Sequence, residues 1–366
     1  MEKLSFKPMI DAGEERVRGE MLRTQAGPLE LILGEEAEAL EDRLATWVGA
    51  AHCLAVSDAA TGIALSLLAA GITPGDRVIC PALGCALPVQ GIRLAGGNPV
   101  FADINPNTYT VDPFCLEYAI SKLSKDGQPA VRALIATDIF GAPAHMRELA
   151  QICENRGMTM IEDLSGAFGA RYKGRMTGNF GRFSVASFAS SGPLDEMGGG
   201  AVFCQNNEDA ERLTQLRRAG KQQRLDTLCP DSSMASADLA FTRLKLDCLH
   251  TEDIRRRWAA ERYRKNLTGK LRLQQMVEGS ESVYSQLVVA LPRDGIRSSV
   301  IKRLFEANIP SGPPLCGLQR ADNEWNRKML VNARALDGRL LALPIHPHLS
   351  SQIVDFICES LLAAID

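Results

Sequence analysis

The residues best placed to do chemistry fall in two stretches. The first is Asp58-Ala59-Ala60, at the start of a helical pattern. Backbone N–H groups at a helix start attract an anion, and an aspartate there satisfies them itself as an N-cap, which is the preferred reading. The second runs from Asp163, at the carboxyl end of a strand-like segment, through Ser187 to Gly198-Gly199-Gly200. An aspartate at a strand end either meets a ligand or caps the next turn, and a serine within SVASF either meets a ligand or bonds to backbone. The glycines either admit a ligand or simply open a strand. Ser190-Ser191 with His52 would make a hydrolase pair only with a G-x-S-x-G elbow and a placed base, and neither is present. His346 and His348 alternate, so their side chains point apart, with no cysteine or acid at metal-ligand spacing; they read as structural. Lys173 and Arg175, in YKGR, read as solvated hairpin residues.

Positioning those side chains requires a scaffold that the apolar pattern supplies. Between residues 50 and 205 short β-branched runs alternate with helical ones, the signature of an α/β fold with a mostly parallel sheet. The strands are expected at 53–57, 77–81, 99–104, 133–139, 158–163, 183–188 and 201–205, with helices starting near Ala59, Ala86, Pro113, Met146 and Glu208. Thr73-Pro74-Gly75-Asp76, Gly96-Gly97-Asn98-Pro99 and Gly141-Ala142-Pro143 punctuate them as turns. A long helix over about 235–271 carries Arg255, Arg256, Arg257, Arg262 and Arg264, a composition expected of a solvated or salt-bridged face. The remainder reads as strand (284–291), helix (296–307), strand (340–345) and helix (350–364), with loops at 311–314 and 319–328. This gives a large α/β domain over 1–245, with a helical N-terminal arm, and a small α+β domain over 246–366.

Composition narrows the function further. The 366 residues carry a net charge of -3 and a pI near 6.0, leaving no basic field for nucleic acid. The apolar runs are much shorter than the ~20 residues of a membrane helix, and the first residues lack the apolar core of a secretory leader, so a cytoplasmic protein is expected. The 10 cysteines include no CxxC pair and read as small buried hydrophobes.

Motif order resembles the DegT/DnrJ/EryC1/StrS family of nucleotide-sugar aminotransferases, enzymes of the fold-type I class that depend on pyridoxal phosphate (PLP). The resemblance runs through Leu33-Gly34, AVSDAATGIALSLLAAGITPGDRVICPAL (55–83), PVFADINPNTYTVDP (99–113) and FGAPAHMREL (140–149). It continues in MIEDLSGAFGARYKGRMTGNFG (160–181), SFASSGPLDEMGGGAV (187–202) and LALPIHPHL (341–349). It implies a mostly parallel sheet flanked by helices, a smaller C-terminal domain, and a homodimer with its site at the subunit interface.

Carried over residue by residue, the resemblance implies a degenerate cofactor site. The Schiff-base lysine position is Gly192, and no lysine occurs between Lys173 and Lys221. Only a primary amine forms the internal aldimine. The related sugar 3-dehydratases, which use pyridoxamine phosphate (PMP), place a histidine there, but no histidine lies between His145 and His250. The family's Ser-Gly-Thr phosphate cup falls on Asp58-Ala59-Ala60, where a carboxylate opposes a phosphate. The ring-stacking aromatic corresponds to Cys85, the residue on the other ring face to Gly166, and the dimer-partner Asn and Arg to Asp231 and Ser233. Asp163 matches the acid on the pyridine nitrogen and Ser187 a phosphate-contacting hydroxyl.

Three functions follow from these matches. One is a protein without transaminase activity, retained as a partner or nucleotide-sugar-binding member of surface-polysaccharide metabolism, with an active paralogue as a candidate partner. The alternative is an enzyme on a nucleotide-linked keto-sugar that uses non-covalent PLP or PMP, with Asp163 and Ser187 as its support. A third is a conventional aminotransferase whose lysine is supplied from elsewhere, for instance from a partner subunit.

Overall fold

The computed structural model describes residues 29–124, 129–189, 193–194, 198–221, 232–315, 317–318 and 328–365. After α1 (Leu29–Val48) come β1 (His52–Val56), α2 (Ala59–Ala69), β2 (Arg77–Pro81), β3 (Leu83–Gly84), α3 (Leu87–Leu94) and β4 (Asn98–Ala102). There follow α4 (Pro113–Leu123), β5 (Val131–Thr137), α5 (Met146–Asn155), β6 (Thr159–Asp163), β7 (Arg171–Tyr172), β8 (Arg175–Met176), β9 (Phe183–Ser187), β10 (Gly200–Cys204) and α6 (Asn207–Lys221). Seven strands form one sheet in the order β1-β10-β9-β6-β5-β2-β4, in which β10 alone runs against the others. β2, β9 and β10 are buried along their whole length, as expected for strands covered on both faces by helices.

Each expected large-domain strand is present, β2 at the expected residues and the others within two residues at either end. The run expected to continue to Ile139 stops at Thr137, because Ile139 bridges to Ala142 around Gly141, whose φ is 97°. Asp76 closes the Thr73 turn by accepting from Thr73 N (2.8 Å) and Oγ1 (2.9 Å). Lys173 and Gly174, with φ of 48° and 77°, form the tight turn between β7 and β8, and Lys173 Nζ pairs with Glu148 at 2.5 Å.

One glycine fixes how α2 meets α3. A Cβ on Gly91 would lie 2.6 Å from Ile63 Cβ and 2.7 Å from the Ala60 carbonyl oxygen. The two helices, which both begin at the sheet's carboxyl edge, are therefore seated on each other by a contact that admits no side chain.

The chain then enters α7 (Ser236–Leu267), 32 residues long, and continues through β11 (Arg272–Leu273), β12 (Ser280–Glu281), β13 (Leu287–Ala290) and α8 (Arg297–Glu306). It ends with β14 (Gly317–Leu318), α9 (Val331–Asp337), β15 (Leu340–Leu343) and α10 (Ser351–Ile365). β11, β13 and β15 form a small antiparallel sheet. Residue 245 falls inside α7. Leu239, Leu246 and Leu249 of this helix share a core with Leu40, Phe168 and Phe188, and Ala259, Ala260, Tyr263 and Leu267 share another with β13 and β15.

The arginines of α7 are largely tied into the protein. Arg256 pairs with Asp253 and Glu252, Arg262 grips Asp355 bidentately at 2.7 and 2.5 Å, and Arg264 donates to the Gln274 carbonyl at 2.7 Å. The strand expected from residue 284 begins only at Leu287, because Tyr284 adopts a φ of 47°. α9 had no counterpart in the sequence reading. Its first N–H groups, Asn332 N and Ala333 N, are capped by the Asp103 carboxylate at 2.8 and 2.9 Å. The expected loop at 319–328 lies almost wholly outside the described residues. Among the described residues, no helix is long and apolar enough to cross a membrane.

Two expectations follow from this packing. Gly91→Leu should destabilise the protein by about 1–3 kcal/mol in urea unfolding, the usual cost of overpacking a tight contact. Burial first, then His348, pushes the His346 imidazole down from 6.5 to about 4. Because the folded value is the lower one, the unfolded chain takes up the proton first, and stability falls as pH drops from 6.5 towards 4. His346→Gln should therefore lose less stability than wild type between pH 7 and pH 5, by about 1 kcal/mol once solvent screening is allowed for.

Candidate functional site

The residues singled out in the sequence converge on the carboxyl edge of the large sheet, where open α/β folds bind ligands. Asp163 ends β6 and is fully buried. Its register partner on β5 is Thr137, whose Oγ1 donates to Asp163 Oδ2 at 3.3 Å, while Ser165 N donates to Oδ1 at 3.2 Å. Burial pushes the Asp163 carboxyl above its ordinary pKa, and the Ser165 and Thr137 donors oppose that rise. The aspartate therefore caps the turn after β6 while its carboxyl stands at the sheet edge.

On the other side of the edge, Asp58 is the N-cap of α2, with Thr61 N donating to Oδ1 at 2.9 Å. Its second oxygen accepts from Thr61 Oγ1 (2.7 Å) and Ser57 Oγ (3.0 Å). Ala59 and Ala60 are buried behind it and bring no hydroxyl. Ser187, at the end of β9, lies opposite Gly200 and accepts from Ala189 N at 3.2 Å. A Cβ on Gly200 would meet the Ala186 carbonyl oxygen at 2.7 Å and Ala59 N at 3.2 Å, so backbone closes directly on the start of α2.

Cys85 follows β3, is half-buried, and packs on the main core. β3 pairs with β14, which brings the C-terminal third of the chain to the same edge. Gly166 lies against β5. A Cβ there would stand 2.9 Å from the Asp138 carbonyl oxygen, and the Gly166 carbonyl accepts from Ser285 Oγ at 2.6 Å. Any side chain at 166 requires the backbone to move, so the glycine is dictated by the close approach.

Gly198 N donates to Asp238 Oδ1 at 3.0 Å and Gly199 packs on Met234, so the glycine run opens β10 against the start of α7. His52 begins β1 and bonds Asn207 Oδ1 at 2.8 Å. It lies opposite Cys204, whereas Ser187 lies opposite Gly200 at the other end of β10. His348 N approaches His346 Nδ1 at 3.3 Å, and no metal-binding group of three or more His, Cys, Asp or Glu occurs among the described residues. Gly192, Ser190, Ser191 and Asp231 lie outside the described residues, and Ser233 is exposed.

Sequence reading missed several contributors. Thr61, three residues after Asp58, had the spacing of an N-cap partner and was legible in principle. Thr137 and Ser285 reach Asp163 and Gly166 only through strand register and tertiary folding. Asp138 was also missed: Oδ1 accepts from Ala144 N at 2.9 Å, and Oδ2 is buried with no hydrogen-bond partner among the described residues. Burial, then Glu162, raises its pKa well above the ordinary value. Thr137 and Asp163 are register partners and share one sheet face, so Asp138, one residue on, lies on the opposite one.

PLP, which the resemblance implies, fits this edge only in part. A buried acid and a hydroxyl are present, but the start of α2 presents a carboxylate where a phosphate would need donors, and the backbone at 166 excludes a side chain over the ring. No catalytic step through the cofactor is derived from these residues.

Residues 15–362 match the DegT/DnrJ/EryC1/StrS aminotransferase family. The chain is 31% identical over 369 residues to the UDP-2-acetamido-2-deoxy-3-oxo-D-glucuronate aminotransferase of Pseudomonas aeruginosa, covering 97% of this chain and 96% of that protein. It is 29% identical to the dTDP-3-amino-3,4,6-trideoxy-alpha-D-glucose transaminase of Micromonospora megalomicea subsp. nigra, with 90% of each covered. Among solved structures, a DegT DnrJ EryC1 StrS aminotransferase from Brucella abortus superposes with a TM-score of 0.84 at 27% identity, over 95% of this chain and 94% of that one. With nearly the whole length matched in sequence and superposed in structure, the chain belongs to the DegT/DnrJ/EryC1/StrS aminotransferase family and has its fold.

Proposed function

We propose that this chain is a member of the family without transaminase activity, acting in nucleotide-sugar or surface-polysaccharide metabolism as a partner or ligand-binding protein. The observation that carries the reading is the run from residue 174 to 220, which contains no lysine and has Gly192 at the Schiff-base position implied by the resemblance. Without a primary amine there is no internal aldimine and no lysine to move a proton on the substrate. Lys173, just before this run on the β7–β8 hairpin, has its ammonium paired with Glu148 of α5. The other proposed pocket positions, Asp58, Ala59, Ala60, Cys85 and Gly166, support the same reading through the geometry above.

The ligand class follows from relatives that act on UDP- and dTDP-linked sugars, so a nucleotide sugar is the proposed ligand and a cytoplasmic homodimer the proposed form. The second reading, an enzyme on a nucleotide-linked keto-sugar with non-covalent PLP or PMP, is favoured by Asp163, a buried acid at the sheet edge, and by Ser187 at the end of the neighbouring strand β9. Under that reading Asp163→Ala releases a bound cofactor.

Incubation with PLP followed by borohydride should leave no stoichiometric pyridoxyl-lysine in peptide mass spectrometry. A single modified lysine at full occupancy would contradict the reading. Gly192→Lys alone should not restore measurable transamination, and turnover in that variant would show that the pocket is still competent. In a thermal-shift series a nucleotide sugar that binds the native state should raise Tm with concentration. No shift with any nucleotide sugar would leave a purely structural partner as the role.

A further inference from the structure

The start of α2 already holds an anion. The Asp58 carboxylate accepts from one backbone amide and two hydroxyls, those of Thr61 and Ser57, at 2.7 to 3.0 Å. A helix start with hydroxyls beside it is the donor set that would otherwise face the oxygens of a phosphate ester. Gly200 closes the other side, since even a Cβ there would come within 3.2 Å of Ala59 N and of the Asp58 carbonyl carbon. A phosphate brought to these donors meets a resident carboxylate at contact distance, where like charges oppose each other most strongly.

We propose that Asp58 is a built-in anion that closes the start of α2 to the phosphate monoester of a cofactor such as PLP or PMP, so that the chain discriminates against phosphate-bearing cofactors there whether or not they bind covalently. The carboxylate takes over what a bound phosphate would do, satisfying the first turn of α2 and complementing its dipole. The claim concerns the phosphate and not the aldimine, and it stands independently of the residue at position 192.

The test uses the full chain as wild type, Asp58→Asn and Asp58→Ser. Both substitutes are good N-caps, so the helix start is retained while the charge is removed; circular dichroism melts verify folding, and either variant suffices. Equilibrium dialysis compares PMP with pyridoxamine, which lacks the phosphate, and inorganic phosphate serves as competitor. Wild type should bind PMP no more tightly than pyridoxamine. The uncharged variants should gain at least about tenfold in PMP affinity, about 1.4 kcal/mol, with pyridoxamine unchanged and inorganic phosphate competing. A wild-type protein that already prefers PMP by tenfold overturns the proposal. Folded variants that gain no preference overturn it as well. Because the readout is non-covalent, it reports on Asp58, whereas the borohydride result reports on Gly192.

Discussion

The carboxylate of Asp58 at the amino end of α2 is the contact on which the geometry of this edge turns. Four N–H groups at a helix start lack partners, and a chain that buries such an end must supply an acceptor. Here the acceptor is covalently part of the chain. The next residue back, Ser57, donates its N–H to the Ser232 carbonyl at 2.9 Å and so joins β1 to the segment that begins α7. Gly200 on the inverted strand β10 presses backbone against the same helix start. Sheet, helix and the long connecting helix therefore meet around one anion, and the neighbouring positions are small because backbone occupies the space.

Glycine explains much of the rest. Gly91 seats α3 on α2, Gly200 seats β10 on the start of α2, and Gly166 seats the turn after β6 on β5. At all three positions a side chain would have to be built into a backbone atom closer than 3.0 Å, and at Gly91 into Ile63 as well. Position 166 is thus a place where close packing of backbone leaves no room for a side chain. The fold itself is held by the sheet and its helices, whereas chemistry on such a fold rests on a few residues at its edge.

The large sheet was legible because both faces are covered and each strand reads as a short apolar run bounded by turn residues. What the sequence did not reveal was decided at a distance. α9 is capped by Asp103, more than two hundred residues earlier, so no local signal announces its start. Tyr284 adopts a left-handed conformation beside Gly141, with Ser285 bonded to Gly166, and this delays β13. Asp163 and Asp58 could be picked out from strand end and helix start, whereas Thr137 became part of the site only through strand register. Asp138, with a buried oxygen lacking a partner, has no sequence signature at all.

Asp58 and Gly192 carry the central claim together, namely that this family fold is used here without a phosphate-anchored, lysine-bound cofactor. A crystal structure of the wild-type protein grown with millimolar PLP tests it most directly. The account predicts Asp58 still bonded to Thr61 N and no cofactor density against Asp163. Density for PLP with its phosphate on Thr61 N, Asp58 rotated away and a covalent link to any lysine would contradict it.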